Sequence, residues 1–447
     1  MNPVELAHLP EYLKSRRWFG GKAWPIKQVS LVDNVHFDPT EGASDQNLAL
    51  AVAEVQYDLG SAERYLLCVC PHQDGMLTDA TESDAFVRIL FNLIRHSQQL
   101  PSGSGTLRGE AVPQAQAVFE KMAVIPIIRR LNVEQSNTSV VIGEQMILKV
   151  IRKLESGVSP ELEIGQFLAR VGFKGAPMLL GALKIDGLAN ATLAVIHEFI
   201  KTEMDGWAYT LDAFQKSEVP PAQFLSEAKA LGSVLGELHA AFASDKGDTL
   251  FAPEPILRED LQRWSASLIG ELGVTFAMAA HISEALAGKR ALLLDHAKKL
   301  AQLEPSGMKT RIHGDLHLGQ TLRSNNRWLI FDFEGEPSRS FSQRREKYSP
   351  LKDVAGMLRS FRYAEETVVA QGKPSGKRAD LTRSAFLDGY RASVARSELH
   401  PTDQRVFDTL LMTLELEKLL YELRYEIQHR PDWVHVPLRG LLSWESP

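Results

Sequence analysis

Cysteine is nearly absent. The chain has 447 residues and two cysteines, Cys68 and Cys70. They lie two apart in the strand-like run RYLLCVC, where they share one face, a poor geometry for a mutual disulfide. A metal site on that pair alone lacks further ligands. A reduced, cytoplasmic compartment is therefore expected. Long apolar runs are also missing. No stretch approaches the roughly 20 residues that span a membrane, and MNPVELAHLPEYLKSRRWFG has no apolar core of signal-peptide length. Neither charge sign dominates: the net charge of -6 leaves no electrostatic footprint for nucleic acid. Neither nucleic acid nor membrane is thus expected as a partner. No internal repeat is visible. What remains is ordinary globular composition, 44% hydrophobic and 24% charged, in a chain long enough for two or three domains.

Residues 1–98 read as mixed strand and helix. LALAVAEVQYDL and ERYLLCVCP are expected to pair around a turn at Gly60-Ser61, and SDAFVRILFNLIRHSQQL to form an amphipathic helix opening at Ser83. PSGSGTLRGEAVPQAQ, residues 101–116, reads as a loop rich in Gly, Ser and Pro, and as a subdomain boundary. From 125 to 200 the signals are of strands. IIRRLNVEQ, SNTSVVIG and MILKVIRK predict a three-stranded antiparallel meander, with GEQ as its second turn. A helix follows, with Ser159 as N-cap, Pro160 at its first position and Gly172 as its stop. MLLGALKI and LAVIHEFI predict two more strands. Beyond about 205 the period turns helical, as in PAQFLSEAKALGSVLGELHAAFA and VFDTLLMTLELEKLLYELRYEIQHR. The reading is α+β: a strand-rich part, 1–98 and 99–204, joined near 198–206 to a helical part, 205–447.

One stretch interrupts the helices: RIHGDLHLGQTLRSNNRWLIFDFEGEP, residues 311–337. QTLR and RWLIFDF are expected to pair across SNN. Alternation along a strand over 327–334 puts Asp332 and Glu334 on one face and Phe333 on the other, where it can anchor in the core. Converging carboxylates suit a hard cation such as Mg²⁺, which takes oxygen ligands. Asp315, in the loop before the hairpin, is then free to orient a hydroxyl and accept its proton. Phosphoryl transfer asks for this division, together with a lysine on the phosphates. Lys149, in the apolar run MILKVI, needs a partner if buried. Glu163 on the next helix is the expected one and Glu161 the competitor. EQSNTSVV just upstream could lay backbone N–H groups and hydroxyls over phosphates, although it lacks glycines.

HGDLHLGQ followed by LIFDFEG resembles the catalytic loop and metal strand of aminoglycoside-phosphotransferase-like kinases, small-molecule relatives of the protein kinases. Within that superfamily the chain resembles the bacterial maltokinases over nearly its whole length. RRWFGGK, SNTSVV, SPLKDVAGMLRSF and YELRYEIQHRPDW carry that likeness. The resemblance implies a bilobal protein-kinase-like fold, with an extra N-terminal cap subdomain on a strand-rich lobe and a helical C-terminal lobe. It implies that ATP and Mg²⁺ are used to make maltose 1-phosphate, which feeds α-glucan (glycogen) synthesis, with a trehalose synthase as a potential partner. Asp315 is then the base. Gln320 stands where many relatives have Asn, and would bind metal with Asp332 and Glu334. Lys149, Glu163, Ser136, Asn137, Thr138 and Ser139 would hold the nucleotide.

Other groups carry two readings. The His313–Asp315–His317 triplet could hold a transition metal, but the downstream oxygen ligands favour Mg²⁺. His313 is expected to brace the loop through backbone. His317 is a brace or a substrate contact. Glu336 reads as a turn residue before Pro337, and Asp353 as a first-turn carboxylate facing the helix dipole. Glu417, Tyr421, Arg424, Tyr425 and Gln428 share one broad helical face. That face is either solvated or, as the resemblance implies, a sugar wall continued by Trp433. The competing functions are a kinase of another sugar, such as glucosamine, and a pseudokinase scaffold, which needs none of these residues.

Overall fold

A computed structural model describes residues 3–37, 48–71, 76–121, 127–131, 136–202 and 204–445. Residues 132–135 of the expected meander and residue 203 of the expected joint lie outside them. The chain forms two compact units. The first holds residues 1–172 and 177–201, the second residues 173–176 and 202–447. The first is rich in antiparallel sheet and the second is helical, so the class is α+β. Among the described residues no helix is long and apolar enough to cross a membrane.

In the first unit, strands Ile26–Phe37, Leu48–Tyr57 and Glu63–Pro71 pair in sequence order, closed by the short strand Lys153–Leu154. Cys68 and Cys70 are buried free thiols in this sheet. Helix Asp84–Arg95 starts after Ser83. Its face of Phe86, Leu90, Phe91 and Ile94 shares a core with residues from both sheets of the unit. Among the described residues the second sheet has seven strands. Met146–Val150 lies between Thr138–Ile142 and Ala191–Glu198, and the meander continues to Ile128–Arg130. Its three-residue turn, Gly143-Glu144-Gln145, joins Ile142 to the paired Met146 and has positive φ at Gly143 and Glu144.

The expected loop over 101–116 is instead partly built into this sheet. Gln99–Pro101 and Thr106–Ala111 form a hairpin whose second strand pairs with Leu179–Ile185. Ser and Gly in the connection set the turn, and the flanking residues complete backbone pairing that turn composition alone does not reveal.

In the second unit, helices Ala222–Phe242 and Arg378–Val394 cross at two glycines. A Cβ on Gly232 would sit 2.0 Å from Phe386 O, and one on Gly389 would sit 1.9 Å from Lys229 O. Helix Gln404–His429 buries Leu416, Leu419, Leu420 and Leu423 against helices Arg258–Ala279 and Glu284–Leu300. Hairpin Thr321–Ser324 with Arg327–Ile330 turns at Asn325-Asn326, both at positive φ.

Candidate active site

The loop from His313 to Gln320 is held from beneath by Asp353. Its carboxylate, 1% exposed, accepts from the backbone N–H of His313 at 2.7 Å and of Gly314 at 2.9 Å. It also meets His239 Nε2 at 3.1 Å, and His239 Nδ1 meets the Tyr390 hydroxyl at 3.1 Å. Burial works to raise the Asp353 pKa; His239 and the backbone N–H groups overcome it and hold the carboxyl below its usual range. Asp353 lies in the first turn of helix Leu351–Ala370, as expected, and its side chain also reaches off that helix to anchor the loop. Gly356, one turn on, lets that helix approach: a Cβ there would lie 2.3 Å from Leu316 O.

His313 braces the loop. Its Nε2 donates to Phe331 O at 2.9 Å, and Phe333 packs on its ring with centroids 5.0 Å apart. His317 Nδ1 accepts from Gly319 N at 3.1 Å. Burial, opposed by Asp315, lowers the His317 pKa to about 4, so the ring is neutral at pH 7. Both rings thus have a nitrogen committed to backbone, and no metal-ligating cluster among the described residues includes them.

Gln320, Asp332 and Glu334 come together. Gln320 Nε2 donates to Asp332 Oδ2 at 2.9 Å, and carboxylate oxygens of Asp332 and Glu334 lie within 4.8 Å of each other. Strand alternation does not achieve this. The strand ends at Ile330, short of the expected 334, and Asp332 has φ +68. A left-handed residue followed by a turn re-aims the two carboxylates, a strained conformation of the kind held at functional sites. The set offers oxygen donors, which fits Mg²⁺.

Asp315 has a partner that the spacing did not reveal. Lys418 Nζ, from helix Gln404–His429, meets Asp315 Oδ1 at 2.8 Å, and both side chains are 17% exposed. Burial works to lower the Lys418 pKa, while Asp315 and Glu336 raise it above its ordinary value. Around this pair lies a narrow pocket lined by Glu336, Arg339, Lys352, Glu417, Tyr421 and Arg424, among others. Its carboxylates are each engaged by a Lys, Arg or His side chain. Glu417 accepts from Arg339 at 2.6 Å and Lys352 at 2.5 Å. Glu336 lies 3.6 Å from Arg339, and Arg424 bonds Glu271 at 3.3 Å and Thr275 at 2.8 Å. Glu336 is therefore part of this pocket's wall as well as a turn residue. Burial pushes the Tyr421 phenol up to about 12.

The expected sugar wall is only partly assembled. Glu417, Tyr421 and Arg424 line the Asp315 pocket, whereas Tyr425 and Trp433 do not. Tyr425 lies one turn, about 6 Å, beyond Tyr421 along the helix. It is 39% exposed and stacks on His429 at 4.6 Å. Trp433 stacks on Tyr363 at 6.3 Å. Lys418 carries no signal of its own in the sequence. Only its position one residue after Glu417, on a helix already suspected, could have drawn attention to it.

In the first unit Lys149 Nζ meets Glu161 Oε2 at 3.0 Å. The expected partner, Glu163, is displaced by its competitor, since residues two apart point about 200° apart around a helix. Ser136 is exposed and Ser139 buried. The Asn137 side chain accepts from Arg152 N at 3.2 Å, and the Thr138 hydroxyl from Arg152 Nε at 2.9 Å. Those two polar groups are spoken for by protein.

Sequence-family comparison matches residues 127–387 to the phosphotransferase enzyme family. The chain belongs to that family. Residues 12–82 of this phosphotransferase also match the maltokinase N-terminal cap domain. The glucosamine kinase of Streptacidiphilus jiangxiensis is 30% identical over 346 residues, 74% of this chain and 77% of that one. That of Mycolicibacterium smegmatis (strain ATCC 700084 / mc(2)155) is 30% identical over 326 residues, 69% and 77%. Among solved structures, a glucosamine kinase in complex with glucosamine, ADP and inorganic phosphate aligns with a TM-score of 0.71 at 24% identity, covering 99% of this chain and 98% of that one. A second crystal form of glucosamine kinase aligns with a TM-score of 0.74 at 24% identity, covering 99% and 100%. The fold is theirs, a kinase fold.

Proposed function

We propose that this phosphotransferase is a maltokinase, moving the γ-phosphate of ATP to the anomeric hydroxyl of maltose. The observation that carries the choice of sugar is that the carboxylates around Asp315 are already engaged. Lys418 engages Asp315, Arg339 and Lys352 engage Glu417, and Arg424 engages Glu271. An amino sugar brings an ammonium that needs an unengaged carboxylate, and here it would meet the Lys418 ammonium instead. A neutral polyol needs only donors and acceptors, which these ion pairs supply at their edges. The match of residues 12–82 to a maltokinase cap supports the same reading.

In this reading Asp315 orients the acceptor hydroxyl and takes its proton, with Lys418 holding the carboxylate in place. Gln320, Asp332 and Glu334 would hold Mg²⁺, which neutralises phosphate charge when bound. Lys149, kept in register by Glu161, is the phosphate-binding cation, and the turn of Ser136–Ser139 lies over the phosphates. Neutral His317 lets the loop approach substrate without adding charge.

The second reading, glucosamine as acceptor, is favoured by the two 30%-identical relatives. Initial rates with Mg–ATP against maltose, glucose and glucosamine separate the two. Maltose is expected to have the highest kcat/KM. A glucosamine kcat/KM above that of maltose would reverse the choice, and turnover with no sugar would end the kinase reading.

A further inference from the structure

Arg152 is the largest fully buried charge in the first unit, 0% exposed. It follows strand Met146–Val150 and lies between two features that are far apart in sequence. On one side its backbone N–H donates to the Asn137 side chain at 3.2 Å, and its Nε to the Thr138 hydroxyl at 2.9 Å. On the other, its Nη2 reaches Asp79 at 2.7 Å and the Thr81 hydroxyl at 3.3 Å, and its guanidinium lies 4.9 Å from the Trp18 ring centroid. Asp79, Thr81 and Trp18 all belong to the segment that matches the maltokinase cap. Burial of this ion pair costs free energy unless its bonds are well made. Asp79 is therefore fixed in turn, by the Thr81 N–H at 3.1 Å and the Thr81 hydroxyl at 2.7 Å.

A second arginine repeats the arrangement at the other end of the same turn. Arg130 closes the strand that precedes it. Its Nε and Nη2 both donate to Thr81 O at 3.1 Å, and its Nη1 pairs with Asp84. Arg130 in turn pairs with Val140, next to Ser139 on strand Thr138–Ile142, so both arginines tie that strand and its approach to residues 79–84, where the cap match ends at residue 82.

We infer that Arg130 and Arg152 are positioning residues through which residues 79–84, at the end of the cap, set the place of Ser136–Ser139. This rests on the reading that Ser136–Ser139 lie over the phosphates. Neither arginine needs to touch nucleotide. Arg152 acts by holding the side chains of Asn137 and Thr138, and Arg130 by holding the strand end that pairs with Val140, so residues 136–139 are placed by these contacts in advance of the ligand. The cap is then part of the nucleotide site and not an accessory to it.

The test is Mg–ADP binding by calorimetry on the full-length protein, with melting temperature and sugar KM measured beside it. Arg130→Met is the main variant, because its side chain is 24% exposed and its loss leaves the core intact. Asp79→Asn and Arg152→Lys are the second and third. Arg130→Met is expected to raise the Mg–ADP Kd roughly tenfold or more, the range for losing hydrogen bonds to a charged group. Sugar KM is expected to stay within twofold, and Arg130→Lys, which keeps the Asp84 pair, to recover part of the affinity. Variants that lower the melting temperature while keeping the Mg–ADP Kd within twofold would overturn the inference and leave a purely structural brace. Failure of the parent protein to bind Mg–ADP would instead sink the nucleotide reading itself, and the inference with it.

Discussion

Replacing Lys418 by Met tests whether Asp315 depends on its buried partner. The pair is 2.8 Å apart and each side chain is 17% exposed. At an effective dielectric of about 20 the attraction is about 6 kcal/mol before desolvation is subtracted. Removing one partner of a fully buried pair costs about 3–5 kcal/mol, because the other charge is left alone. Partial exposure lets water screen it and brings the figure to about 2–3 kcal/mol. In a unit of about 250 residues that corresponds to a fall in melting temperature of roughly 4–12 °C. The catalytic cost is separate. A carboxylate free to rotate away from the hydroxyl loses proximity, and kcat should drop on the order of 10–100-fold. Asp315→Asn alone should lower kcat by roughly 10²–10⁴. The double variant discriminates the roles. If Lys418 acts through Asp315, Lys418→Met added to Asp315→Asn lowers kcat no further, and much of the lost stability returns because no orphan carboxylate remains. Calorimetric melting and saturating initial rates are the assays. Multiplicative kcat losses would show that Lys418 acts on substrate by itself. A single variant with parental melting temperature and kcat would refute the argument from burial.

Gly356→Ala should push the catalytic loop through Leu316 O, 2.3 Å from the new Cβ; we expect about 1–3 kcal/mol of destabilisation with at least a roughly tenfold loss of kcat, and a variant normal in both would show that the helix can shift. Tyr421→Ala should raise the maltose KM about 5- to 150-fold, the effect of about 1–3 kcal/mol, while Trp433→Ala, whose ring sits on Tyr363, should leave it unchanged; equal effects would restore the longer wall. Because the folded pKa of His317, about 4, lies below the unfolded value near 6.5, the unfolded chain takes up the proton first. Its contribution, up to about 3 kcal/mol, is complete above pH 6.5 and is lost as pH falls toward 4. Urea melts at pH 7 and pH 4.5 should show a shallower pH slope for His317→Gln, and equal slopes would refute the assignment.

Local signals account for much of what the sequence made legible. Ser159, Pro160 and Gly172 bound a helix by capping chemistry that acts within one turn, and Ser159 Oγ does accept from Leu162 N at 3.3 Å. Asn325-Asn326 tolerates the positive φ of a tight hairpin, so the strands around it were readable. Lys149 declared its need for a partner by standing in an apolar run. Hydrophobic period identified the long helices of the second unit because they bury one face each. These features depend on residues within about ten positions of one another.

Tertiary structure decided the rest. The choice of Glu161 over Glu163 depends on how a helix is rotated against a strand, which capping does not specify. The left-handed backbone of Asp332 is imposed by its surroundings, since an L-residue does not prefer it. The strands within 99–111 form because a sheet edge is available to pair them. Lys418 reaches Asp315 across 103 positions of sequence, and Arg152 reaches Asp79 across 73. Such pairs carry no periodic or local mark. They form only because folding brings both charges to the same place, where their bonds offset the cost of leaving water, and that place exists only once the chain has folded.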